Sequence, residues 1–157
     1  MQTVLIPTDF TTTPLLLLKH AIASAQDKMA VIFMYSTFTS DSITDLLFYS
    51  LQKILQEAVS HEFREACAIM LNKYPDKITA IRYELFHGNS GQAFRTLVEL
   101  NKVDRVVIAT DQRFRLRGYE FNPLPYILSS NTAVEEVLVH TAPRVAEKDL
   151  VAQLLTS

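Results

Sequence analysis

Two short polar pairs carry the strongest hint of chemistry in this chain. Thr8-Asp9 follows the apolar run Val4-Leu5-Ile6-Pro7, and Thr110-Asp111 follows Val106-Val107-Ile108-Ala109, so both fit the pattern Val-x-Ile-x-Thr-Asp. Two strands that bring a hydroxyl and a carboxylate each to one rim can share acid/base work or hold a divalent cation. The commoner role of an Asp at a strand end is to cap a turn or the next helix. Just beyond the second pair, Arg113, Arg115 and Arg117 alternate with Phe114 and Leu116. Guanidiniums so placed can grip a phosphate or another anion, and they equally suit a solvated loop.

Other reactive side chains are scattered. His20, His61, His87 and His140 fall on different elements without the spacing of a metal site, so no metal is expected. His87 comes nearest to a strand end. No serine stands in a Gly-x-Ser-x-Gly elbow, which argues against a hydrolase of that type. The single cysteine, Cys67, has no partner for an internal disulfide and lies in a helical pattern, where a packed, inert thiol is the usual outcome.

Positioning these groups takes one domain. The 157 residues suffice for a single core, and 48% hydrophobic with 20% charged residues is ordinary globular composition. A formal charge of −2 gives no reason to expect nucleic acid. No apolar run approaches the roughly 18 residues of a membrane span, and no basic, apolar leader opens the chain, so a soluble cytoplasmic protein is expected. Glycine is scarce, with three residues against about 7% in average proteins, which disfavours a glycine-rich phosphate cradle.

The elements follow from hydrophobic patterning. Residues 3–7 and 30–35 are uninterrupted apolar runs, which suit parallel strands covered on both faces, and Pro7 is expected to end the first. Between them Thr13 as cap and Pro14 in the first turn open a helix to about Asp27. From Ile43 to Tyr74 a helical repeat continues almost without a breaker, but an unbroken helix would reach roughly 45 Å, so a break is expected near Val59 to Glu62. Residues 78–86 alternate apolar and polar, marking a half-exposed edge strand. The turn His87-Gly88-Asn89-Ser90-Gly91 caps a helix over about 92–101. A fourth strand follows over 104–111, then a short helix over 124–130. The last strand, Val134 to His140, carries Glu135 and Glu136, unusual for a central strand. The tail 142–157 is weakly amphipathic and is expected to be helical.

Alternating strands and helices imply an α/β fold, a doubly wound open parallel sheet with right-handed crossovers. Ligands in such sheets sit outside the carboxyl ends of the strands where the winding reverses, which places Thr8, Asp9, Thr110 and Asp111 at the crevice if the first and fourth strands are neighbours.

The opening Val-Leu-Ile-Pro-Thr-Asp-Phe, the helix entered through Thr13-Pro14, the His-Gly-Asn turn and Asp104-Arg-Val-Val-Ile-Ala-Thr together resemble a universal stress protein domain over about residues 2–141. The resemblance implies a Rossmann-like, adenine nucleotide alpha hydrolase-like sheet of five strands in the order 3-2-1-4-5, and a homodimer through the last strand. Many members of that family bind ATP through Gly, two residues, Gly, nine residues, then Gly followed by Ser or Thr. The matching positions here are Ala109, Gln112, Asn122 and Pro123. Side chains at such turns hinder the approach of backbone amides to phosphate oxygens, and Pro123 has no amide to offer. Asp9 keeps the acidic position that resembles the family's nucleobase-side contact.

Neither ATP nor AMP is therefore expected as a cofactor in the usual mode. The leading expectation is a non-enzymatic accessory or interaction protein of the stress response. A rival is a binding module for a nucleotide or small anion that uses Asp9 with Arg113, Arg115 and Arg117. A third is a weak nucleotide hydrolase or transferase built on Asp9 and Asp111.

Overall fold

The computed structural model describes residues 1–38, 47–88 and 90–139. Five strands, β1 (Gln2–Thr8), β2 (Met29–Ser36), β3 (Ile78–Phe86), β4 (Arg105–Ala109) and β5 (Val134–Val137), form one sheet in the order β3-β2-β1-β4-β5. Every neighbouring pair is parallel. The helices are α1 (Thr12–Ser24), α2 (Leu47–Ala58), α3 (His61–Lys73), α4 (Gly91–Leu100) and α5 (Leu124–Ser129). This is the α/β sheet that the alternating elements lead one to expect, in the strand order that the resemblance implies.

The apolar runs become strands because both faces of the sheet are covered. All eight residues of β2 are buried. Successive side chains of a strand point to opposite faces. Val4, Ile6, Val31 and Phe33 accordingly join a core with Leu15 and Leu18 of α1 and Phe63 and Met70 of α3. Their neighbours Leu5, Ile32 and Met34 join the opposite core with Phe94 of α4 and Ile127 of α5. Strand β3 alternates and lies at one edge, as its pattern predicts.

The helical stretch after residue 46 breaks where its length demands. Helix α2 stops at Ala58, and Ser60 caps α3 by accepting from the Phe63 amide at 3.1 Å. The cap satisfies one of the orphan donors of the new helix. The break turns Phe63, Ala66, Cys67 and Met70 onto the sheet.

Four boundaries differ from expectation. Helix α1 is preceded by Thr11 and not Thr13, and it ends at Ser24, short of Asp27. Its entry is organised from upstream, where the Thr11 amide donates to Asp9 Oδ1 at 3.1 Å. Strand β4 ends at Ala109, leaving Thr110 and Asp111 in the turn beyond it. Described pairing of β5 ends at Val137, while His140 and the tail 142–157 lie outside the described residues.

The fourth difference concerns Pro7, and it shapes the site. Pro7 does not end β1, which continues beside β2 as far as the Thr8–Tyr35 pair. It ends only the pairing with β4, which consists of Val4 with Arg105 and Leu5 with Val106. Thr3 accepts from the Asp104 amide at 2.8 Å, so Thr3, Leu5 and Pro7 turn their backbone groups toward β4. The next donor of that ladder would be the amide of residue 7, and proline has none. Past this point β4 pairs on with β5 through Ala109 and Val137, and β1 and β4 part company at their carboxyl ends.

Candidate functional site: the crevice beyond strands β1, β2 and β4

A cleft of about 420 Å³ opens at the carboxyl end of the sheet, lined by Asp9, Phe10, Tyr35, Arg115, Arg117 and Glu120 together with Glu57, Ala58, Ser60 and Gly118. The turn after β1 supplies its first wall. Phe10 adopts a left-handed backbone (φ 58°), a conformation that side chains other than glycine take at a cost. Two contacts fix it. Its amide donates to Thr8 Oγ1 at 2.8 Å, and its ring enters an aromatic cluster, with centroids 5.2 Å from both Tyr35 and Phe63. With Phe10 turned inward, Asp9 is left on the rim.

Both oxygens of Asp9 are engaged. Oδ1 accepts from the Thr11 amide and from the Thr11 hydroxyl, and Oδ2 accepts from the Arg115 amide at 2.8 Å. The loop over residues 112–121 forms the second wall and is pinned along the end of β2. The Phe38 amide donates to the Tyr119 carbonyl at 2.8 Å, and the Phe121 amide to that of Ser36 at 3.2 Å. Phe121 is buried and stacks on Phe38 with centroids 4.3 Å apart. Gly118, with φ 54°, turns the loop so that Glu120 comes back beneath Arg117.

Glu120 is the hub of that wall. Its Oε1 accepts from the Arg117 amide at 2.6 Å, and its Oε2 accepts from the Tyr35 hydroxyl at 2.5 Å. Burial, and then the hydrogen bond to Glu120, push the Tyr35 phenol far above its ordinary range. Tyr35 is therefore a fixed proton donor at any physiological pH.

Where β1 and β4 separate, Ala109 loses a strand partner for its amide. Val106 donates to Ala133 and Thr110 to Val137, both toward β5, so the intervening Ala109 faces the gap. Gln112 fills the vacancy. Its Oε1 accepts from the Ala109 amide at 3.0 Å, and its own amide donates to the Ala109 carbonyl at 3.1 Å. Gln112 is buried, and Asp111 before it takes the left-handed backbone (φ 55°) that lets the side chain fold back. Further on, Asn122 Oδ1 accepts from the Leu124 amide at 2.9 Å, and the Pro123 carbonyl accepts from Tyr126 and Ile127.

The seven residues singled out from sequence divide between two places. Asp9, Arg115 and Arg117 line the cleft. Thr8 lies under it, 4% exposed, with its hydroxyl spent on the turn. Thr110, Asp111 and Arg113 are exposed and stand outside the cleft lining. Tyr35, Glu120 and Ser60 are cleft residues that the sequence did not flag. For Tyr35 the available signal was a tyrosine ending a buried run; Glu120 and Ser60 carried none.

The remaining candidates sit elsewhere. His87 borders a groove between the end of β3 and α4, lined by Leu85, Leu97 and Leu100 among others. His20 Nε2 lies 3.3 Å from Glu135 Oε1, and Glu135 is also bound by Arg105, which explains a carboxylate on this strand. Cys67 is buried, and desolvation raises its thiol to about 11. Among the described residues no group of three or more His, Cys, Asp or Glu could hold a metal ion, and no helix is long and apolar enough to cross a membrane.

No protein-family model matches the sequence, and no curated protein matches it. Solved structures do match. Hypothetical protein MJ0577 superimposes with a TM-score of 0.53 at 17% identity, over 90% of this chain and 98% of its own. A member of the universal stress protein family from Burkholderia pseudomallei gives 0.50 at 11% identity, over 88% of this chain and 96% of its own. With near-complete coverage of both chains, this chain has the fold of the universal stress proteins.

Proposed function

We propose that the chain is a universal-stress-type protein that does not take ATP in that family's usual mode and works without turnover, as a cytoplasmic accessory or interaction protein in a stress response. The observation that carries this is the internal satisfaction of the loop after β4. Amides at 109, 115, 117 and 124 are each held by a side chain of the chain itself, namely Gln112, Asp9, Glu120 and Asn122. A phosphate cradle needs such donors pointing at the ligand. Here a ligand would have to break these internal hydrogen bonds to reach them. Titration calorimetry with ATP, AMP and cyclic nucleotides is expected to give no micromolar binding. A micromolar constant for any of them would overturn the proposal.

A second reading has an observation of its own: Asp9, Arg115 and Arg117 share one cleft with the Tyr35 hydroxyl. That set suits a small anion or nucleotide held by side chains. If this reading is right, a ligand found by titration should be lost when Arg113, Arg115 and Arg117 are all changed to Ala. Hydrolysis by Asp9 with Asp111 has less support, since Asp9 lines the cleft and Asp111 does not. As partner we propose a second copy joined through β5, an edge strand of four residues followed by an exposed Leu138. Light scattering should then report twice the chain mass, and a monomer would refute it.

A further inference from the structure

The cleft contains the donors that an anion would want. Two loop amides two residues apart, at Arg115 and Arg117, lie on cleft-lining residues beside the Tyr35 hydroxyl. Each of the three donors already has an acceptor, and every acceptor is a carboxylate oxygen. Asp9 Oδ2 takes the Arg115 amide at 2.8 Å, Glu120 Oε1 the Arg117 amide at 2.6 Å, and Glu120 Oε2 the Tyr35 hydroxyl at 2.5 Å. Three acceptor oxygens on two carboxylates match in number the three terminal oxygens of a phosphoryl group.

We propose that Asp9 and Glu120 are built-in anions that occupy the donor set of this cleft and hold it closed to free phosphate-like ligands, an autoinhibitory contact that opens when these carboxylates withdraw. This rests on the proposed loss of the usual nucleotide mode and explains how the loss is enforced. Two physical terms act together. A tethered carboxylate competes at an effective concentration of roughly millimolar or more, so a dilute free anion is displaced. The carboxylates of Asp9, Glu120 and Glu57 also offset the attraction that the guanidiniums of Arg115 and Arg117 in the same lining would exert on an approaching anion.

Inorganic pyrophosphate is the probe, measured by calorimetry on the full chain. The wild type is expected not to bind it at sub-millimolar concentration. The pair Asp9→Ala with Glu120→Ala is expected to bind at least about tenfold more tightly, because both competing acceptors are gone. The isosteric pair Asp9→Asn with Glu120→Gln keeps neutral acceptors in place and should gain less. Equal gains in both pairs would mean that charge alone closes the cleft and would overturn occupancy of the donors. A folded alanine pair with no gain would overturn the proposal outright. If the alanine pair does not fold, amide exchange in the wild type decides. The Arg115 and Arg117 amides must exchange at least about tenfold more slowly than unstructured amides, and unprotected rates would refute the contact. Nucleotide binding by the wild type would instead defeat the proposed function, so the two failures are distinct.

Discussion

Replacing Gln112 by Met tests the structural origin of the site. The side chain keeps a similar length and volume but loses the oxygen that accepts from Ala109 N at 3.0 Å. Ala109 is 5% exposed and Gln112 is 8% exposed, so water cannot readily replace the lost partner. A buried donor left unsatisfied costs about 1–3 kcal/mol. For a chain of this size each kcal/mol lowers Tm by about 2–4 °C, giving an expected fall of about 2–12 °C. Urea unfolding at 25 °C, followed by circular dichroism, measures the free energy directly, and thermal melts give the second estimate. The denaturant slope should stay at the wild-type value, because the surface exposed on unfolding is unchanged. A loss below about 0.5 kcal/mol, the range of an inconsequential surface change, would refute the claim that Gln112 replaces a missing strand partner.

Three further outcomes are expected. Phe63→Ala empties a ring that packs edge-on to Phe10 at 5.2 Å and to Phe33 at 5.1 Å, and should cost about 3–5 kcal/mol in urea unfolding; a loss under 1 kcal/mol, on the order of a single methylene, would show that the cluster refills the space. At Gly88 an added Cβ would stand 2.5 Å from the Ala93 Cβ, so Gly88→Ala should destabilise by about 1–3 kcal/mol, and the double change with Ala93→Gly should cost less than the sum of the two single changes. Burial raises the Cys67 thiol from 9.0 to about 11, so the native protein should resist a thiol reagent at pH 8 and react once unfolded. Above pH 9 the unfolded chain releases this proton first, so its contribution to stability, roughly 3 kcal/mol, is full below pH 9 and lost as pH rises through 11; Cys67→Ala should flatten that part of the profile.

The scaffold was legible wherever one local signal had one physical cause. Uninterrupted apolar runs became β1, β2 and β4 because a strand covered on both faces has no polar side to show. The break at Ser60 could be foreseen because a straight helix from Ile43 to Tyr74 would outgrow the domain. The cleft was legible in part, through Asp9 in the turn after β1 and Arg115 and Arg117 in the loop opposite. Tyr35 and Glu120 are 85 positions apart, and only the docking of the 112–121 loop on β2 brings them together. Nothing in the pattern around either residue encodes that meeting.

The repeated Val-x-Ile-x-Thr-Asp shows why matching sequence does not bring matching chemistry. After β1 the left-handed residue is Phe10, and Thr8 is buried with its hydroxyl closing the turn. After β4 it is Asp111, one position earlier in the motif, and Thr110 is exposed with its amide on Val137. The cause is the different company the two strands keep. β1 runs beside β2 to its last residue and ends over the aromatic cluster, whereas β4 ends beside a gap that the missing amide of Pro7 leaves open. The chain fills that gap with Gln112, whose side-chain oxygen accepts from the Ala109 amide. A glycine there would supply no acceptor for Ala109. Gln112 is therefore the structural counterpart of Pro7: its oxygen gives the Ala109 amide the partner that the parting of the two strands removes.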